Sequence, residues 1–276
     1  MSVKRKFKFL TAAVLLSFCL LFCGCASRKN ASVKPGTQEE LPQLVIGCDL
    51  YEPYSYIDSD GNFAGIDIEL AAEACARMGY KPEFKFIKWD EKKQILADNE
   101  VDCVWSCFSM NGRESDYLWA GPYFYSLQSV AVLKSSDINT ISELKGRTVA
   151  VQSSTKPESL FLDGADGVPD VKNVYCFTDM EKMFGAVKKG YVDACAGHES
   201  ALKSFISRDS ADFRILYEPL QKVGLGVAFD KQSGDTELVR KLSETLNEMH
   251  KDRTTAKIFL KYNISAEMFP EVSVVG

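Results

Sequence analysis

The chain has 276 residues, 46% of them hydrophobic and 26% charged, the proportions of an ordinary globular protein with room for one large domain or two smaller ones. The formal net charge is −5. An acidic surface disfavours nucleic acid as a partner, because a phosphate backbone needs a basic footprint.

The chain opens with a basic segment (Lys4, Arg5, Lys6, Lys8), an apolar run from Phe9 to Cys23, and then Gly24 and Cys25. This pattern predicts an export signal over residues 1–24. The run of about fifteen residues is short against the roughly twenty a bilayer-spanning helix needs, which makes a retained anchor the weaker reading. Phe22-Cys23-Gly24-Cys25 resembles a bacterial lipobox, so Cys25 is expected to carry a diacylglyceryl group and become the mature N-terminus. Loss of residues 1–24 removes those basic residues and no acid, leaving the mature protein more acidic still. Residues 25–41 have almost no large apolar side chain and are expected to form a flexible tether between the lipid and the domain.

From Gln43 the pattern is strand, helix, strand, helix, strand. "QLVIGC" is a short apolar run, and "GIDIELAAEACARMGY" carries Ile66, Leu70, Ala74 and Met78 at helical spacing, with Gly79 as its stop. "PEFKFIKW" alternates as a strand, "DEKKQILADNE" is helical, and "VDCVWSCF" is expected to be a buried strand. The same logic repeats after residue 135: "RTVAVQ", "NVYCF" and "YVDACAG" as strands, "STKPESLFL" and "TDMEKMFGAVKKG" as helices. "LGVAFD" adds a strand, followed by an amphipathic helix and a second helix after the Asp-Arg-Thr break. Alternation of this kind implies two similar α/β lobes. Lobe one is expected over residues 42–133 and 223–276, lobe two over residues 134–222, with two hinge strands crossing near 131–136 and 221–226.

Nine cysteines in an exported chain would usually suggest disulfides. Cys19 and Cys23 leave with the signal and Cys25 is taken by lipid, while Cys48, Cys75, Cys103, Cys107, Cys176 and Cys195 lie in apolar patterns without a C-x-x-C pair. Cys103 and Cys107, on a presumed strand, would stand roughly 13 Å apart at 3.3 Å per residue, beyond disulfide reach. Small buried thiols are favoured over bridges or zinc ligands.

The blocks "VIGCDLYEPYSYIDSDGNFAGIDIELA", "WDEKKQILADNEVD", "GRESDYLWAGPYFYS", "ISELKGRTVAVQSST" and "VGLGVAFDKQSGDTELVRKLSETLNEM" occur in order. Together they resemble a family 3 extracellular solute-binding protein, one of the polar amino-acid receptors of ABC importers, over about Pro42 to Ser265. The resemblance implies two Rossmann-like α/β lobes joined by a two-strand hinge, the periplasmic-binding-protein-like type II architecture. It also implies an extracytoplasmic, lipid-anchored monomer that takes an amino acid or related small carboxylate, hands it to ABC permease subunits, and uses no cofactor.

The resemblance places Arg113 as the clamp on the ligand's α-carboxylate, a role that suits a planar guanidinium donating two parallel hydrogen bonds. Ser109 matches a second carboxylate contact. Ser154 and Thr155 match the first turn of lobe two, where free amides at a helix start attract an anion; the plainer alternative is an ordinary N-cap. Tyr51, Tyr54 and Trp89 fall where the family sets aromatic walls, although each could be a core aromatic. Asp49 and Cys107 are further pocket candidates. The main departure is "VDACAGHES", where the family has an aspartate for the ligand's ammonium and this chain has His198 followed by Glu199. Either Glu199 has taken the task or the ammonium is held elsewhere. A histidine beside the ligand would make affinity depend on pH near roughly 6.5. The rival class is an enzyme on the same scaffold: a dehydratase would have to use Glu199 and His198 as its acid–base pair, and a murein-cleaving relative would need a further catalytic domain.

Overall fold

Successive strands of the second half alternate the face they bury. In Val130-Ala131-Val132, Val149-Ala150-Val151 and Ala194-Cys195-Ala196, the outer two residues pack in one apolar cluster and the middle residue in another. A period of two with both faces buried is the signature of a sheet covered by helices on either side. The computed structural model describes residues 41–209 and 212–264. The expected signal, Cys25 and the tether up to residue 40 lie outside the described residues.

The first lobe begins with β1 (Gln43–Cys48), the short pair β2 (Tyr56–Ile57) and β3 (Phe63–Ala64), and α1 (Ile66–Met78). It continues with β4 (Lys81–Phe86), a 3-10 turn over Trp89–Glu91, α2 (Lys92–Ala97) and β5 (Cys103–Val104). The expected apolar stripe on α1 is buried at Ile66, Leu70, Ala74 and Met78, and Gly79 ends the helix in the left-handed conformation. β6 (Tyr117–Leu133) then leaves the first lobe for the second, made of β7 (Thr148–Gln152), α3 (Lys156–Leu162), β8 (Asn173–Phe177), α4 (Met180–Lys188), β9 (Ala194–His198), α5 (Glu199–Asp209) and β10 (Phe213–Ile215). β11 (Gln221–Asp230) returns the chain, and α6 (Thr236–Lys251) and α7 (Thr254–Lys261) cover the first lobe.

One sheet runs in the order β4-β1-β5-β11-β6-β9-β7-β8, with β10 also on β6. β1 is parallel to β4 and β5, and β7 to β8 and β9, so each lobe has a parallel triplet beside the shared antiparallel pair β6–β11. The fold is two α/β lobes on a curled sheet, the type II periplasmic-binding-protein architecture.

The structure departs from expectation in three places. The crossing falls earlier than residues 131–136: Gln128 to Val132 already pair with β9, and Val130 and Val132 pack inside the second lobe. The strand expected over "VDCVWSCF" ends at Val104 because the chain turns at Cys107, whose φ is 49° and whose N–H donates to the buried Asp67 Oδ2 at 2.6 Å. Cys176 is exposed on β8, whereas Cys48, Cys75, Cys103, Cys107 and Cys195 are buried and free as expected.

Candidate functional site

The segment after β5 is held in place from both sides. Ser106 Oγ accepts from Asp49 N at 3.2 Å, and Cys107 is tied to Asp67. Gly226 N donates to Phe108 O at 3.0 Å and Met110 N to Gly224 O at 2.9 Å, so residues 108–110 run against β11. Gly226 allows this close approach, since a Cβ would stand 2.7 Å from Met110 Sδ and 3.0 Å from Trp119 Cε3 and push those side chains aside. A turn follows in which Arg113 N donates to Met110 O at 2.9 Å and Trp119 Nε1 caps Arg113 O at 3.0 Å. Arg113 is thereby fixed on the wall of a cleft between the lobes. The free space within it is about 30 Å³, little more than one water needs, so the cleft is nearly shut and a ligand would have to part the lobes to enter.

From the first lobe the cleft takes Asp49, Tyr51, Trp89, Cys107, Ser109 and Arg113; Thr155 and His198 line it from the second, as do Gln152 and Met183. Hydrogen bonds cross between the lobes at several points. Asp49 Oδ2 accepts from Gln152 Nε2 at 2.9 Å, and Tyr51 Oη accepts from His198 N at 3.2 Å. Ser109 Oγ lies 3.3 Å from His198 Nε2. Arg113 Nη2 and Trp89 Nε1 donate to Ser154 O at 3.4 and 3.2 Å. These contacts describe lobes closed on one another.

Electrostatics separate the ionisable groups. Burial lowers the pKa of Arg113 from its ordinary value, opposed by the nearby Tyr117, Asp116 and Glu158; its described hydrogen-bond acceptors are the carbonyls of Ser109 and Ser154, each at 3.4 Å. Burial pushes the Asp49 carboxyl up to about 6, against hydrogen bonds from Gln152 and Leu50 that favour its charged form. Burial, and then the nearby Arg113, push His198 down to about 3. The imidazole is therefore neutral across physiological pH, with Ser126 Oγ 2.9 Å from its Nδ1.

Four expectations need correction. Burial holds His198 well below the expected switch near pH 6.5, among hydroxyls, an amide and aromatic rings, with no carboxylate among its described hydrogen-bond partners. Glu199 turns away from the cleft into a groove with Ser200 and Lys203, where it pairs with Lys203 and accepts from Ser129 Oγ at 3.3 Å. Tyr54 is a core residue, 0% exposed, with its hydroxyl 2.7 Å from Ser200 Oγ. Ser154 offers its carbonyl to the first lobe, while its N–H donates to Glu158 Oε2 at 2.6 Å, so that amide is occupied by the protein's own carboxylate. Glu199 and His198 therefore do not converge as an acid–base pair.

Sequence reasoning missed Gln152, Phe108, Met180, Met183 and Lys156 on the cleft wall, and Lys92 beside it. Gln152 and Phe108 could have been found as the residues at or just beyond the C-terminal ends of their strands, where open α/β sheets place ligands.

The sequence profile of the bacterial extracellular solute-binding proteins, family 3, matches residues 44–265. The chain belongs to this family. Among curated relatives of this solute-binding protein, the L-cystine-binding protein TcyA of Bacillus subtilis (strain 168) is 26% identical over 223 residues, covering 79% of this chain and 80% of the relative. The histidine-binding periplasmic protein of Escherichia coli (strain K12) is 28% identical over 233 residues, covering 80% and 88%. Among solved structures, an ancestral arginine-binding protein bound to arginine superposes with a TM-score of 0.71 at 29% identity, covering 80% of this chain and 97% of that one. The protein is a solute-binding protein with an interlobe cleft.

Proposed function

We infer that this protein is the extracytoplasmic receptor of an amino-acid ABC importer, anchored to the membrane through lipid on Cys25. The relatives named for cystine, histidine and arginine support a free amino acid as the ligand class. The observation that carries the inference is Arg113, a half-buried guanidinium in the interlobe cleft whose described acceptors are long carbonyl contacts. A ligand carboxylate would give it two short, charge-assisted bonds, which neutral carbonyls at that distance do not.

Asp49 is the carboxylate for the ligand's ammonium, since Glu199 faces another groove. Ser109, Cys107 and Thr155 border the carboxylate end, with Tyr51 and Trp89 as apolar walls. A ligand touching both lobes is bound more tightly by the closed form than by the open one and so shifts the equilibrium toward it.

A thermal-shift screen against the free amino acids tests the reading, because a ligand at 100 times its dissociation constant stabilises by roughly 2.7 kcal/mol. No shift with any of them would reject it. Lipidation is tested separately by mass spectrometry of the processed N-terminus: Cys25→Ser abolishes it, and a lipid on Cys23 instead would overturn the assignment.

A further inference from the structure

Lys92 opens α2 and is only 5% exposed, yet its described hydrogen bonds go to carbonyl oxygens alone, Trp89 O at 3.0 Å and Ser154 O at 3.2 Å. An ammonium has three donors, so one is left over. Its Nζ lies 4.6 Å from the centre of the Trp89 ring and 5.7 Å from that of Phe108, two rings that line the cleft. Asp90, Glu158 and Asp49 act on it only through longer-range attraction. A buried cation without a partnered anion is costly, and folds retain one where an anion is supplied.

The geometry at Ser154 sharpens this. Its single carbonyl oxygen receives Trp89 Nε1 at 3.2 Å, Lys92 Nζ at 3.2 Å and Arg113 Nη2 at 3.4 Å. Two of these donors are cations, and charge-assisted bonds ordinarily close to about 2.7–2.9 Å. One neutral acceptor facing three donors leaves all of them long, a donor set better matched to anionic oxygen. Because both cations reach one atom, their heads stand within two hydrogen-bond lengths of each other. Arg113 can grip one carboxylate while Lys92 grips another on the same small molecule.

Charge balance points the same way. Asp49 is the one carboxylate among the described lining residues, against Arg113 and Lys156 on the wall; just outside the lining stand Lys92 and Glu158, whose two oxygens already accept from Ser154 N and Cys176 Sγ. A zwitterionic ligand would pair Arg113 and Asp49 and leave Lys92 alone, and a basic ligand would add a cation where three already stand. An acidic amino acid supplies two carboxylates and one ammonium.

We propose that the cleft selects an acidic amino acid, with Arg113 on the α-carboxylate, Asp49 on the ammonium and Lys92 on the side-chain carboxylate. The proposal rests on the amino-acid receptor function inferred above. A purely structural Lys92, bracing Trp89 and Ser154, would affect all ligands alike, so the deciding quantity is a ratio of affinities.

Calorimetry on the full chain in detergent compares glutamate with glutamine, aspartate with asparagine, and arginine. At least one acid is expected to bind ten times more tightly than its amide, with that ratio falling below threefold in Lys92→Gln and surviving in Lys92→Arg. Melting curves establish that each variant folds; should Lys92→Gln not fold, the wild-type and Lys92→Arg ratios decide. Amides or arginine binding as well as the acids, or an acid-to-amide ratio unchanged in Lys92→Gln, would overturn the acidic specificity and leave the receptor function standing. Failure of every free amino acid to bind the wild type would overturn both.

Discussion

The two lobes meet the ligand cleft with different chemistry. The first supplies charge and aromatic surface: Asp49, Arg113, Tyr51, Trp89 and Phe108. The second supplies one cation, Lys156, and otherwise neutral groups, the amide of Gln152, the carbonyl of Ser154, the uncharged imidazole of His198 and the thioethers of Met180 and Met183. Most of the strong, directional interactions thus reside on one side and most of the shape-completing ones on the other. A ligand can dock on the first lobe at nearly full electrostatic strength, and the second lobe then excludes water and adds short-range contacts.

This asymmetry can be broken most severely at Arg113. Arg113→Lys is expected to weaken amino-acid binding by on the order of a hundredfold, about 3 kcal/mol, because a point charge cannot reproduce a bidentate fork. Calorimetry checks this, and an affinity within threefold of wild type would return Arg113 to an ordinary half-buried cation. On the other lobe, Gln152→Ala removes a neutral donor and should cost about 1 kcal/mol, roughly a fivefold loss. If Gln152→Ala matched Arg113→Lys, the division of labour would be refuted.

A third test lies behind the first lobe's wall. Burial pushes the Asp67 carboxyl up to about 7, although Cys107 N and Tyr123 Oη donate to it. Its folded value lies above the unfolded value of about 3.9, so the folded state binds the proton more tightly. Asp67 therefore contributes stability that is present below about pH 4 and is lost as pH rises through about 7. The melting temperature of Asp67→Asn relative to wild type should rise between pH 5 and 8, and a constant difference would place the titration elsewhere. The smallest effect is expected at Glu199: Glu199→Ala should change ligand affinity by less than about threefold, since losing its partly exposed pair with Lys203 does not touch the cleft.

Helix α1 was legible because its apolar stripe and its glycine stop agree, as was the order of strands and helices. What the sequence could not convey was which way a residue faces once the backbone leaves a regular period. "VDCVWSCF" carries no glycine, proline or asparagine, so nothing in it marks Cys107 as the left-handed turn; the mark is Asp67, which is distant in sequence. Tyr51 and Tyr54 share a short aromatic motif, yet one lines the cleft and the other is wholly buried against the second lobe. His198 and Glu199 are adjacent, but the strand ends between them and the next residue opens a helix, so their side chains diverge. The crossing residues Val130 to Val132 look like any buried strand, and only their partners reveal the lobe they belong to.

Cys176 is the single exposed thiol among the described residues, and its Sγ donates to Glu158 Oε1 at 2.9 Å, while Glu158 Oε2 holds Ser154 N. The surface sulfur is thus linked through one carboxylate to the carbonyl that the first lobe's cations grasp when the lobes close. Nature has left a ready attachment point for an environment-sensitive dye at the end of that rail, a route to an optical sensor that needs no engineered cysteine in the described domain. Burial, and then the Glu158 carboxylate, push the thiol up to about 11. Attachment therefore calls for alkaline conditions or a reagent tolerant of a thiol that is slow to ionise.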